Sequence, residues 1–354
     1  MASTELDLST ITAAVVQENS GQIAIGKYVV QIGSVHGGVV NVAMPEEQPH
    51  WQPRLAPVLL RPRRFAGLLD RQVETGAAMT VLHTTQPLEL YGSPGLGKTS
   101  LLRHLAYHLP LTACADGVVF LSAQQHALAD LLQFLFEAFH ESNIPAKATE
   151  AQIRHGLQNK QALILLDDLG LARTEVDALL DAAPNCAFIL TSPERRLWGE
   201  GRVVALSGLP RDDALTLIER EMARPLTREE LAAVLTLCDL LAGHPLRLIQ
   251  VAALARDHGH SLIEITERLQ QAAPVEALNQ QLFDQLSPPE RRVLGTLALF
   301  GGAPVGHDHL AALTGLPDPS PVVESLIGAS WCRPTVRATA SPAIWPSIGL
   351  RPGI

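Results

Sequence analysis

Between residues 92 and 99 the chain reads Gly-Ser-Pro-Gly-Leu-Gly-Lys-Thr, and few folds accept such a stretch. Glycine costs conformational entropy, so glycines this dense mark backbone that must adopt a form, or approach a partner, that a side chain forbids. An apolar run at 87–91 precedes the segment, and a helical pattern over 99–109 follows it. Gly92, Ser93, Pro94, Gly95, Leu96, Gly97, Lys98 and Thr99 together satisfy G-x-x-x-x-G-K-[ST], in the strand-before, helix-after setting that gives the pattern its chemistry. Consecutive backbone N–H groups then turn toward phosphate oxygens, and the N-terminus of the following helix adds partial positive charge. Ser100 is grouped with this phosphate-binding loop (P-loop). Lys98 suits the β- and γ-phosphates, and the Thr99 hydroxyl suits Mg2+.

A phosphate-bound metal needs a carboxylate from a neighbouring strand. Ala162–Gly170, ALILLDDLG, supplies one, because its five apolar residues end in Asp167 and Asp168. Two acids closing a buried run are unfavourable without a cation or hydrogen-bond donors. Asp167 is the expected Mg2+ partner of Thr99, and Asp168 the group that orients or deprotonates an attacking water. Lys98, Asp167 and Asp168 form the expected catalytic set. Further short apolar runs at 117–121, 186–190 and 202–206 alternate with helical patterns at 127–140, 149–158 and 174–183. That alternation predicts an α/β fold with a parallel sheet covered by helices. Beyond about 210 the strands stop and helical periodicity takes over.

The net charge of −9 disfavours a general nucleic-acid binder, which needs a basic footprint. Cys114, Cys186, Cys238 and Cys332 form no C-x-x-C pair, which reads as reduced thiols and a cytoplasmic protein. No apolar stretch is long enough to span a membrane. His104 and His108 lie one helical turn apart with no third ligand nearby in sequence, a pattern that fits a surface helix face better than a metal site. Residues 46–63 hold four prolines and read as a linker, with Arg61, Arg63 and Arg64 solvated.

The order of further motifs resembles that of the signal-transducing ATPases with numerous domains (STAND), specifically their NB-ARC-like members, over about residues 64–330. FAGLLDRQVE (65–74) is similar to the family's opening motif, and the resemblance implies that Arg71 lies near the nucleotide. FILTSPERR (188–196) resembles the strand that ends in a sensor of the γ-phosphate, with Thr191 and Ser192 matching. Pro193 stands where the family often carries arginine, which leaves Arg195 and Arg196 as alternatives for that contact. LSGLPRDDALTLI (206–218) resembles the approach to a helical lid, and LAGHPLRLI (241–249) its G-x-P motif, where the resemblance implies that Pro245 packs on adenine. The implied organisation is a P-loop nucleotide-binding domain at 64–208, a helical lid at 209–275 and an incomplete winged helix at 276–335. An irregular, proline-rich tail at 336–354 follows, whose composition suits a shifted reading frame. ATP and ADP with Mg2+ are the implied cofactors, with slow hydrolysis and a homo-oligomer in the active state. Two other functions fit the same motifs: a P-loop/winged-helix transcriptional regulator, and a nucleotide-binding scaffold without turnover.

Residues 1–45 form a separate β-prone segment. Within it, 20–43 is nearly uncharged and punctuated by glycine, and Val30-Gln31-Ile32-Gly33 resembles the core of RIP homotypic interaction and related amyloid signalling motifs. That implies a homotypic effector partner. The alternative is a small hairpin or β-layer docked on the ATPase body.

Overall fold

The computed structural model describes residues 48–84, 86–199, 201–300 and 305–328, together with the backbone of short strands between 14 and 40 and after 331. The expected tail at 336–354 lies outside the described residues apart from the backbone of its last strand. Two units are distinguished, 1–51 with 142–146, and 52–141 with 147–354. In the first, Asn19–Ile25 pairs antiparallel with Tyr28–Val35, Ile25 opposite Tyr28, and Ala14–Val15 pairs with Val39–Val40. The side chains on which the interaction expectation for 20–43 depends lie outside the described residues.

The second unit is built on six parallel strands: β1 (Val58–Leu60), β2 (Leu88–Tyr91), β3 (Gly117–Ser122), β4 (Ala162–Asp167), β5 (Ala187–Ser192) and β6 (Arg202–Ala205). Their order across the sheet is β6-β2-β5-β4-β3-β1. All six residues of β4 and of β5 are buried, as an all-parallel sheet with both faces covered requires. Leu163 and Leu165 of β4, with Leu88 and Leu90 of β2, pack under α1 (Gln72–Thr84) and α2 (Lys98–His108) through Ala78, Val81, Leu101 and Leu105. Strand side chains alternate, so Ile164 and Leu166 point to the opposite face. The remaining helices of the sheet are α3 (Leu128–Phe139), α4 (Glu150–Leu157) and α5 (Arg173–Ala182), which pack on one another.

Local chemistry explains most boundaries. Thr149 caps α4 and bonds reciprocally with Gln152, a capping box readable in the sequence. Thr227 and Glu230 do the same for α7 (Arg228–Leu240). Two features depart from the sequence reading. First, the segment expected to be a linker contributes β1, which pairs with β3 at the sheet margin. Proline is tolerated on an edge strand, so Pro57 and Pro62 bound a strand there without breaking the sheet. The arginines of this segment are not all solvated either. Tyr107 donates its hydroxyl to Pro62 O at 2.7 Å, Arg103 donates Nε–H to Arg63 O at 2.8 Å, and the Arg61 and Arg64 guanidinium groups lie over the Tyr107 ring. Second, α1 goes unread in the sequence because Gly76 interrupts its helical pattern. Asp70 (φ 57°) and Arg71 (φ 78°), both left-handed, turn the chain into it.

After β6 the chain is helical: α6 (Arg211–Met222), α7, α8 (Pro245–His258), α9 (Leu262–Gln270), α10 (Pro274–Gln285), α11 (Pro288–Leu299), α12 (His307–Thr314) and α13 (Ser320–Gly328). One continuous apolar core runs from Leu217 and Ile218 through Leu248, Val251 and Ile265 to Leu297 and Leu326. Among the described residues no helix is long and apolar enough to cross a membrane.

Candidate functional site

The P-loop leaves the carboxyl end of β2, and β4 and β5 end on the same edge of the sheet, where parallel α/β folds place ligands. Gly95 (φ 90°) and Gly97 (φ 88°) hold left-handed conformations in the loop. A Cβ on Gly95 would lie 2.6 Å from His244 Cε1 and 2.8 Å from Leu246 Cβ, so only glycine fits there. Lys98 begins α2, and its Nζ donates to Gly92 O at 2.5 Å and Ser93 O at 3.1 Å. Burial lowers the pKa of this ammonium, while Asp168 and then Asp167 pull it back up. Thr99 and Ser100 follow in the first turn of α2.

Thr99 donates its hydroxyl to Asp167 Oδ1 at 3.0 Å, across 68 residues of sequence. Thr191, fully buried at the end of β5, donates to the same oxygen at 2.7 Å and accepts from the Asp168 N–H at 2.8 Å. Asp168 is left-handed (φ 60°), which turns the chain sharply at the strand end. Lys98, Thr99, Asp167, Asp168 and Thr191 are thus brought together. Among the described residues no group of three or more His, Cys, Asp or Glu side chains could enclose a metal ion. Mg2+ at a phosphate site takes one or two protein oxygens and completes its shell with phosphate and water. The Thr99 hydroxyl and the Asp167 carboxylate are hard oxygen donors of that kind, so the residues present fit the ion.

Arg71 approaches the loop from behind. Its side chain is 3% exposed and donates to Leu96 O at 3.1 Å, Ser207 O at 2.9 Å and Glu74 Oε1 at 3.2 Å. These bonds hold Asp70 and Arg71 in left-handed conformations that cost on the order of 1–3 kcal/mol each. Arg195 donates Nε–H to Leu197 O and lies 4.1 Å over the Trp198 ring, while Arg196 lies 3.7 Å from Glu194. Both contacts are within the loop after β5. Pro245, partly exposed, is the first residue of α8, between two residues that touch the P-loop. His244 Nε2 lies 3.0 Å from Pro94 O, and Leu246 donates its N–H to Gly95 O at 3.3 Å.

Residues 76–225 match the sequence profile of the NB-ARC domain. The match begins within α1, takes in the P-loop, the ends of β4 and β5 and the whole of α6, and stops before α7. The NB-ARC region is therefore a P-loop nucleotide-binding fold, and it occupies less than half of the chain. A STAND protein with a tetratricopeptide-repeat sensor from Pyrococcus horikoshii superposes with a TM-score of 0.52 at 19% identity, over 85% of this chain and 43% of that one. The chain thus spans under half of that structure, and the likeness is one of fold. A Walker-type ATPase of Pyrococcus abyssi gives 0.42 at 15% identity, over 83% of this chain and 96% of that one. No curated protein matches the sequence.

Two residues of the site escape sequence reasoning. Glu89, in the middle of β2, is fully buried and accepts from the Ser192 hydroxyl at 2.5 Å, the Arg196 N–H at 2.8 Å and the Leu197 N–H at 2.8 Å. It thereby moors the chain that leaves the NB-ARC region's β5. The available signal was a lone acid inside the apolar run LELY. The other is His244, whose neighbours Gly243 and Pro245 already accounted for the motif.

Proposed function

We propose that the chain is an ATP/ADP-operated signalling switch. ADP with Mg2+ holds a closed state, exchange for ATP opens it toward a homo-oligomer, and slow hydrolysis resets it. The observation that carries this reading is the Thr99–Asp167 contact at 3.0 Å, which joins the helix behind the P-loop to the acidic end of β4. In the mechanism it supports, the backbone amides of Gly95, Leu96, Gly97, Lys98 and Thr99 bind the polyphosphate. Lys98 offsets its charge, and Thr99 with Asp167 would hold Mg2+, which would supply neutralising charge to the β- and γ-phosphates. Asp168, aimed by its bond to Thr191, orients or deprotonates the attacking water. A switch needs different contacts with its two nucleotide states, and a helical lid touching the loop through His244 and Leu246 gives nucleotide occupancy a route to the rest of the chain.

Native mass spectrometry of the purified protein is expected to find one ADP per chain. Finding no nucleotide under conditions that preserve folding would overturn the reading. Asp168→Asn is expected to lower phosphate release about 100-fold, the scale of a lost general base, while ADP stays bound. Release at the parent's rate would leave a water-activating role untenable.

A further inference from the structure

The lid reaches the P-loop through the turn before α8, outside the stretch that matches NB-ARC. His244 is 8% exposed, and its Nε2 faces Pro94 O at 3.0 Å. A carbonyl oxygen only accepts, so Nε2 carries the proton, and in the neutral ring Nδ1 is then a bare acceptor. That Nδ1 is buried with no hydrogen-bond partner. One residue on, the Leu246 N–H holds Gly95 O. Neighbouring backbone allows no slack: Gly243 is left-handed (φ 62°), bonds through its carbonyl to the Leu209 N–H at 2.8 Å, and has no room for a Cβ against Leu209.

In a trans peptide the C=O of one residue and the N–H of the next point in opposite directions. Fixing Pro94 O toward the lid therefore turns the Gly95 N–H away from it, and fixing Gly95 O does the same for the Leu96 N–H. Arg71, by holding Leu96 O, sets the Gly97 N–H in the same way. The amides meant for phosphate are aimed by clamps on the carbonyls behind them, and two of the three clamps belong to the lid.

We propose that His244 is a positioning residue for the nucleotide, a latch from the lid that aims the P-loop amides through Pro94 O and must open before the nucleotide leaves. The proposal rests on the nucleotide-switch reading and specifies how the lid controls it. Coupling of this kind is reciprocal: bound nucleotide holds the lid shut by the same factor by which the shut lid holds the nucleotide. Nε2 donates to Pro94 O in either protonation state, but burying the charged ring costs free energy, so protonation weakens the latch. Burial, then Arg247 on α8 and Lys98 on α2, lower its pKa, against the bonds to Pro94 and its own backbone, while Asp168 and Asp167 act on Lys98. A second proton would land on Nδ1, which is buried beside two cations. Because the closed-state pKa lies below the ordinary histidine value, the latch is fully formed above that value and weakens as pH falls through the lowered one.

The test is stopped-flow release of a fluorescent ADP analogue from the full chain. His244→Ala is expected to release it about five- to tenfold faster, the scale of one buried hydrogen bond. His244→Gln, whose amide N–H can donate to Pro94 O, is expected to restore most of the retention. Parent release is expected to accelerate as pH falls from 7 toward 5, and His244→Gln release to stay flat. Circular dichroism of the nucleotide-free variants keeps misfolding apart from latch loss. A parent that holds ADP while His244→Ala releases it at the parent's rate overturns the latch alone, as does a pH profile shared by parent and His244→Gln. A parent that binds no ADP overturns both the latch and the switch.

Discussion

A Lys98→Ala chain is expected to purify without nucleotide and to bind ADP about a thousandfold more weakly than the parent. Lys98 Nζ is poised against the carbonyls of Gly92 and Ser93 at the mouth of the loop, half-buried, with Asp167 and Asp168 acting on it. Each charge-assisted hydrogen bond it makes to phosphate contributes about 1.5–3 kcal/mol, more than a neutral one because the ammonium has already left bulk water. Two such bonds give about 4 kcal/mol, or roughly three decades in affinity. Isothermal titration with ADP and Mg2+ measures it directly. Affinity within tenfold of the parent would mean that the polyphosphate does not lie where the loop's amides converge.

Glu89→Ala is expected to be the most destabilising single change in the nucleotide-binding region, at about 4 kcal/mol. The carboxylate is fully buried, and its removal strands one hydroxyl and two backbone N–H groups, each costing about 1–3 kcal/mol when left without a partner. Glu89→Gln keeps one acceptor oxygen but turns an NH2 group toward an N–H, so about half of the loss is expected. Urea unfolding followed by far-ultraviolet circular dichroism separates the three chains. Parent-like unfolding of Glu89→Ala would show that water reaches these donors once the side chain is gone. Trp198 follows the moored segment directly and is half-exposed under Arg195, so its fluorescence reports whether that loop loosens before the rest.

The parts of this fold legible in the sequence are those where local chemistry and burial agree. The five runs read as strands lie at β2 to β6, and the two buried along their whole length, β4 and β5, leave the most continuous apolar runs. The glycines of the P-loop and the acids ending β4 were readable because each is costly unless it serves a ligand. What stayed hidden is decided by distant partners. Val58–Leu60 becomes a strand only because β3 offers it an edge, and nothing in three residues between prolines announces that. Resemblance alone implies that Arg71 lies near the nucleotide; the carbonyls its donors reach, Leu96 in the P-loop and Ser207, are 25 and 136 positions away. Glu89 and His244 act on residues 103 or more and 150 positions away, beyond the reach of any local pattern.

The strand order has a bearing on how the protein is made. β2 lies between β5 and β6, so the strand that launches the phosphate loop has neither neighbour until the ribosome has added about a hundred residues more. Until then its Glu89 carboxylate has nothing to receive, and Thr99 waits for Asp167 to be synthesised. Contacts this far apart in sequence close slowly and late. A nascent chain arrested before residue 187 carries the whole glycine motif but neither of the strands that flank β2. Nucleotide capture is therefore expected late in the folding of this region during synthesis.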